Sequence, residues 1–176
     1  TFQPCRVPTD EYRVQFSLDR ATFRRADGDF KTSLDICVDP ESDTEVRRLT
    51  ISYTGNEERV VEITTFQEIA LATQNVDESH PTFSKLFVET EYCGDAECLL
   101  ARRRPRDKND TPLWAVHTLT VSGREGAVEY ETDRARFVGR GRTLEQPQAI
   151  RARLNGTVGA VADPVFVMRR RFTISP

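Results

Sequence analysis

No apolar run in this 176-residue sequence approaches the ~20 residues that a membrane-spanning helix requires. Positive charge is not in excess either. Twenty-five Lys and Arg against 28 Asp and Glu leave a net charge of −3, whereas a surface that neutralises nucleic-acid phosphates normally tips the balance the other way. Histidine is scarce. His80 and His117 stand apart from each other and from every cysteine, so a metal centre lacks its ligand set. The four cysteines, Cys5, Cys37, Cys93 and Cys98, are too few and too irregular for a disulfide scaffold. Cys93 and Cys98 bracket Gly94-Asp95-Ala96-Glu97 as half of a zinc site would, but no second ligand pair exists, and a turn with two reduced thiols is the better reading. Gly139-Arg140-Gly141 is only a piece of a phosphate loop and follows no strand–helix junction. Neither a metal nor a cofactor is expected. Thr1-Phe2-Gln3-Pro4 carries neither a start Met nor a signal-peptide core, from which we expect a piece excised from a larger protein.

What is present is alternation of period two. Tyr12, Val14, Phe16 and Leu18 fall on one face of a strand, with Arg13, Gln15 and Ser17 on the other. Phe30, Leu34, Ile36 and Val38 form the next apolar series, after Ala26-Asp27-Gly28-Asp29, where Asp-Gly supplies the positive φ of a tight hairpin. Leu49, Ile51 and Tyr53 precede the turn Thr54-Gly55-Asn56, and a β-rich run extends from Val60 to Ala72. Further strands are read at Lys85–Tyr92, Cys98–Arg104, Trp114–Val121, Ala127–Asp133 and Val165–Ile174. Residues 134–157 are the least strand-like, and the best helical candidate is a short turn around Leu144–Ile150. Roughly nine or ten short antiparallel strands cannot bury both faces in one sheet, so two packed sheets are expected. The reading is an all-β, antiparallel two-sheet sandwich occupying residues 1–176 as one domain, with no internal repeat or linker. A chain of this size buries roughly two-thirds of its unfolded surface and needs no covalent staple.

Several constellations invite a chemical reading. Glu89 and Glu91 lie two apart on one strand face, as do Glu129, Glu131 and Asp133. Carboxyl groups about 6.5–9.5 Å apart serve inverting glycosidases, but one of them must sit in a desolvating pocket. On a half-buried strand an acidic stripe is more often the solvated face. Ser79 beside His80 cannot adopt triad geometry, and His117 between Val116 and Thr118 reads as structural. Asn155-Gly156-Thr157 and Asn109-Asp110-Thr111 match the glycosylation acceptor pattern, which is common by chance. The basic string from Arg102-Arg103-Arg104 to Lys108 fits a strand end and an exposed loop.

Five longer strings carry more information. FRRADGDFKTSLDICVDPESDTEVRRLTISYTGNEERVVEITTF, SHPTFSKLFVETEY, LLARRRP, YETDRARFVGRGRT and GAVADPVFVMRRR, in order along nearly the whole chain, resemble the sandwich domain of cyclic β-1,2-glucan synthases. The same domain type precedes the catalytic barrel of cellobiose-phosphorylase-like inverting glycoside phosphorylases. The resemblance implies a galactose-mutarotase-like supersandwich, truncated at one or both ends, joined by a helical linker to an (α/α)6 barrel. In such phosphorylases a barrel Asp protonates the glycosidic oxygen while phosphate attacks the anomeric carbon. No counterpart of that Asp is present here. The resemblance further implies a bacterial inner-membrane parent with this domain facing the cytoplasm and not touching the membrane itself.

On that resemblance the chain alone is expected to be non-catalytic. It would pack on the helical-barrel domain of the same chain, help to shape its active site, and bind β-glucan oligosaccharide weakly in isolation. The segment carrying Arg134, Arg136, Arg140 and Arg142 is the candidate contact, because phosphorylases of this kind use a sandwich loop to close the acceptor side. Guanidinium forks bind sugar hydroxyls and phosphate, and Phe137 offers an apolar face for a ring, which makes Arg134, Phe137, Arg140 and Arg142 the candidate binding residues. Structural ion pairs are the competing role for these arginines. The alternative for the whole chain is an autonomous carbohydrate-binding module, which needs exposed aromatics. Trp114 is the one tryptophan, and its place on an alternating strand is compatible with the core.

Overall fold

The computed structural model describes residues 7–105, 107–108, 110–122 and 126–176. Cys5 and Asn109 therefore lie outside the described residues. The fold is all-β and antiparallel, with three sheets among the described residues, and the chain divides into two compact units: 1–60 with 173–176, and 61–172. No helix among the described residues is long and apolar enough to cross a membrane.

The first unit is a meander of β1 (Glu11–Phe16), β2 (Ala21–Asp27), β3 (Phe30–Val38) and β4 (Glu45–Tyr53). Asp27 pairs with Phe30 across a two-residue turn, and Gly28 takes φ +52° there, the left-handed value expected for the Asp-Gly hairpin. Alternation sets the register. Val14, Phe23, Leu34 and Leu49 line up across all four strands on one face, and Phe30 stacks on Tyr53 at 4.7 Å. Leu49 and Phe16 on that face remain exposed.

Where the sequence predicts two sheets for all the strands of the chain, the meander of the first unit forms a third, and the second unit contains two packed sheets. One runs β10 (Gly159–Ala160), β6 (Val88–Cys93), β7 (Cys98–Arg103), β8 (Trp114–Thr118), and the other β5 (Arg59–Glu68), β11 (Pro164–Ile174), β9 (Glu129–Asp133). Between them lie Ile69, Val88, Leu99, Ala101, Phe166 and Met168. The hydroxyls of Thr90 and Thr132 join the two sheets by a buried 2.7 Å hydrogen bond. Among the described residues the unit also has three short helices, α1 (Gln74–Ser79), α2 (Pro81–Lys85) and α3 (Arg134–Val138), and a 3-10 turn at Gln148–Arg151. Lys85 ends α2 rather than starting a strand, and β6 begins at Val88, because Pro81 opens a helical turn at its first position. The Val60–Ala72 run stops being a strand at Glu68.

β11 is buried on both faces. Phe166 and Met168 enter the inter-sheet core, while Val165 and Val167 enter a second cluster with Phe137, Ala149 and Leu154. Its arginines follow the same alternation. Arg169, 1% exposed, extends to the second side, where its guanidinium donates to the Ala152 and Ala149 carbonyls at 2.7 Å and to the Thr64 hydroxyl at 2.9 Å, and pairs with Glu62 at 3.1 Å and Glu129 at 3.7 Å. Arg170, also buried, extends to the other side, donating to the Leu119 carbonyl and Glu97 at 2.8 and 2.7 Å. Arg171, half-exposed, meets Glu62 and Glu129 again.

Arg169→Ala should lower unfolding stability by about 3–5 kcal/mol, since it leaves two carboxylates and two carbonyls facing a buried gap. Arg171→Ala, which removes an exposed partner of the same carboxylates, should cost less than about 1 kcal/mol. Urea melts of both variants check the contrast, and equal losses would contradict it.

Candidate functional site

The arginine segment starts where β9 ends. Asp133 caps α3, its carboxylate accepting from the Ala135 N–H at 2.9 Å. The helix lasts five residues and stops at Gly139, whose φ of +88° admits few other residues. Space is a second constraint there, since a Cβ on Gly139 would fall 2.8 Å from the Gln148 Cβ. Gly141, at φ +69°, completes the reversal.

The structure separates the four arginines. Arg134 turns toward Asp163 and Glu68, at 3.4 and 3.5 Å, and its backbone N–H donates to the Asp163 carbonyl. Asp163 also holds Lys85 at 2.7 Å. The Arg134 Nε is buried without a hydrogen-bond partner among the described residues. Arg136 sits 3.6 Å from Asp133, one helical turn back. Arg140 and Arg142 are exposed, and neither makes a side-chain ion pair among the described residues. Phe137 does not present the free ring expected of it. It is 3% exposed, packed with Ala149, Leu154, Val165 and Val167, and stacked on Phe66 at 5.3 Å. The helical turn points it inward, where period-two reasoning saw only a loop.

Most of the other constellations are engaged within the fold. Glu131, 1% exposed, accepts the Thr132 and Asp133 N–H groups at 2.9 Å and the Thr157 hydroxyl at 3.1 Å. Glu129 accepts the Leu154 N–H and Arg171. Glu131 is thus sealed inside the fold, while Glu129 is part-buried with both oxygens engaged. Glu89 is ion-paired to Arg102 at 2.7 Å and to Arg104 at 3.4 Å, and the hydrogen bond from Arg102 holds its carboxyl below the usual range. Glu91 beside it is exposed. His117 shares a 2.8 Å hydrogen bond with the Thr65 hydroxyl and stacks on Phe166. His80 is an exposed joint between α1 and α2. Cys93 and Cys98 face each other across the β6–β7 hairpin as free thiols, and burial, then the neighbouring Cys93, pushes the Cys98 thiol up. Among the described residues no three His, Cys, Asp or Glu side chains group as a metal site would require. Trp114 is not in the core: it is 54% exposed on β8.

The family description that matches residues 1–176 is glycosyl hydrolase 94, supersandwich domain. The chain is also 37% identical, over 173 residues and 97% of its own length, to the cyclic beta-(1,2)-glucan synthase NdvB of Rhizobium meliloti (strain 1021). It spans 6% of that protein's length.

Phe137→Ala should destabilise the chain by about 3–5 kcal/mol, the usual cost of emptying a buried aromatic position. Arg140→Ala should shift the thermal midpoint by no more than an exposed charge does, less than about 1 kcal/mol. Calorimetric melting of the two variants separates the buried from the presented side of this segment.

Proposed function

The chain belongs to the glycosyl hydrolase 94 supersandwich-domain family, and from that membership we propose that it is the non-catalytic sandwich domain of a cyclic β-1,2-glucan synthase. It packs on an adjacent helical barrel of the same protein and helps to shape the barrel's active site. One observation supports this reading above the others. Arg140 and Arg142 stand exposed beyond a short capped helix, while Arg134 and Arg136 beside them are engaged by carboxylates.

The physical logic is one of presentation. Asp133 fixes where α3 begins, Phe137 anchors its underside in the core, and Gly139 and Gly141 turn the backbone outward. Two guanidinium groups two residues apart repel each other in a shared environment unless an anion or a hydrogen-bonding partner lies between them. A sugar's hydroxyls and a phosphate both provide such a partner, and a planar Arg fork binds either in a defined orientation. Holding a reacting sugar in place contributes to rate even from residues that take no part in bond breaking. The protonation of the glycosidic oxygen would then fall to the barrel. The acidic pairs of this chain are ill-suited to it, since Glu131 is sealed and Glu129 is committed to backbone and arginine.

The isolated chain, incubated with β-1,2-glucooligosaccharides and phosphate, should release no glucose 1-phosphate above buffer; any turnover that co-purifies with the chain and tracks its concentration would overturn the non-catalytic assignment. In the full-length parent, Arg140→Ala and Arg142→Ala should lower turnover by about 10- to 100-fold, the loss of a charged hydrogen bond worth roughly 1.5–3 kcal/mol. Unchanged turnover together with an unfolded chain would make the segment purely structural.

A further inference from the structure

We propose that the outward face of the β10-β6-β7-β8 sheet is a second, separate sugar-binding site, a groove that takes a β-linked glucan chain on Trp114. Its ligand class rests on the β-glucan reading above; its location does not.

Register places the site. Ala160, Glu89, Arg102 and Trp114 form one row across the four strands, and Glu91, Leu100 and Val116 form the next across β6 to β8. These side chains all point away from the inter-sheet core, because Val88, Thr90, Leu99, Ala101 and Ala115 alternate with them and turn inward. The small residues Gly159 and Ala160 leave one side low, and together the rows line an open groove of about 340 Å³, near the lower end of the ~300–1,000 Å³ range of ligand pockets.

The composition of this face is not that of an ordinary solvated strand. Trp114 and Val116 are 54% and 64% exposed, side by side on β8 with Leu100 beside them. The indole also has a cation over its face. The Arg102 guanidinium lies 5.7 Å from the ring centroid and is itself fixed by Glu89 at 2.7 Å. Glu91 is exposed in the next row and makes no ion pair among the described residues.

An apolar ring face flanked by a carboxylate acceptor and a guanidinium donor matches a pyranose. The sugar's C–H face covers the indole, one hydroxyl donates to Glu91, and another accepts from Arg102. Polyanions fit poorly, because Glu89 and Glu91 together outweigh the single Arg102 of the groove. The open form and the lone aromatic ring predict binding in the millimolar range.

The experiment uses the fact that Trp114 is the one tryptophan in the chain, so its intrinsic emission reports this groove alone. Titration with linear β-1,2-glucooligosaccharides should shift the emission saturably, with half-saturation on the order of 1 mM. Maltooligosaccharides should need at least roughly tenfold more. Glu91→Gln should raise half-saturation roughly tenfold, as loss of a charged hydrogen bond does, and Trp114→Ala should abolish the binding heat in calorimetry. Silence with every sugar overturns the groove and leaves the proposed function to the turnover measurement. An equal or stronger response to maltooligosaccharides overturns the β-glucan assignment of this groove, while the proposed function still stands or falls by the turnover measurement. A saturable shift that Glu91→Gln leaves unchanged overturns the geometry argued here.

Discussion

A guanidinium removed from water must be compensated on every side, and the second unit is arranged around one such group, Arg169. Burial pulls its pKa down, and Glu62 and Glu129 pull the other way, although an arginine so placed stays protonated. The compensation is drawn from separate parts of the chain: Glu62 and Thr64 on β5, Glu129 on β9, and the carbonyls of Ala149 and Ala152 at the 3-10 turn. Because a buried charge tolerates little displacement, those segments are constrained together. The constraint extends outward. Ala149 adjoins Gln148, Gln148 packs against Gly139, and Gly139 turns the backbone toward Arg140 and Arg142.

Charge in this chain is thus sorted by burial, and position in the register does the sorting. Glu129 and Glu131 share the face of β9 that meets the Arg169 side of β11, so their oxygens are consumed by backbone N–H groups and arginines. Glu91 lies on the outward face of β6 and is exposed there. Acidic stripes that look equivalent as text therefore have opposite uses, one as internal scaffold and one as open surface.

The strand pattern was largely legible in the sequence because alternation is a local property. The register row Val14, Phe23, Leu34, Leu49 follows from period two and from an Asp-Gly turn that only one geometry suits. What was not legible depends on distant partners. Phe137 lies in a segment without period, and its burial is decided by Phe66, seventy-one positions earlier in the numbering. The string Arg169-Arg170-Arg171 falls in a strand that alternation predicts, but alternation does not reveal that two of the three are buried, which follows from β11 being the middle strand of its sheet. Trp114 was ambiguous for a related reason: alternation assigns it a face, but only the packing of the sheets says which face is dry. The two-residue strand β10 is too short to carry any pattern.

The central place of β11 has a consequence for how the protein is made. Both apolar clusters of the second unit draw residues from this strand, and Thr65 meets Met168 across 103 positions. A ribosome delivers β5 through β9 long before it delivers their shared partner, so neither cluster can close while synthesis is still short of β11. Throughout that interval β5 and β9 each lack the neighbour they share in the finished sheet, and their unpaired edges are open to wrong pairing. Maturation of the second unit is therefore gated by the emergence of this central strand, and a pause in translation before Pro164 would lengthen the vulnerable period rather than assist folding.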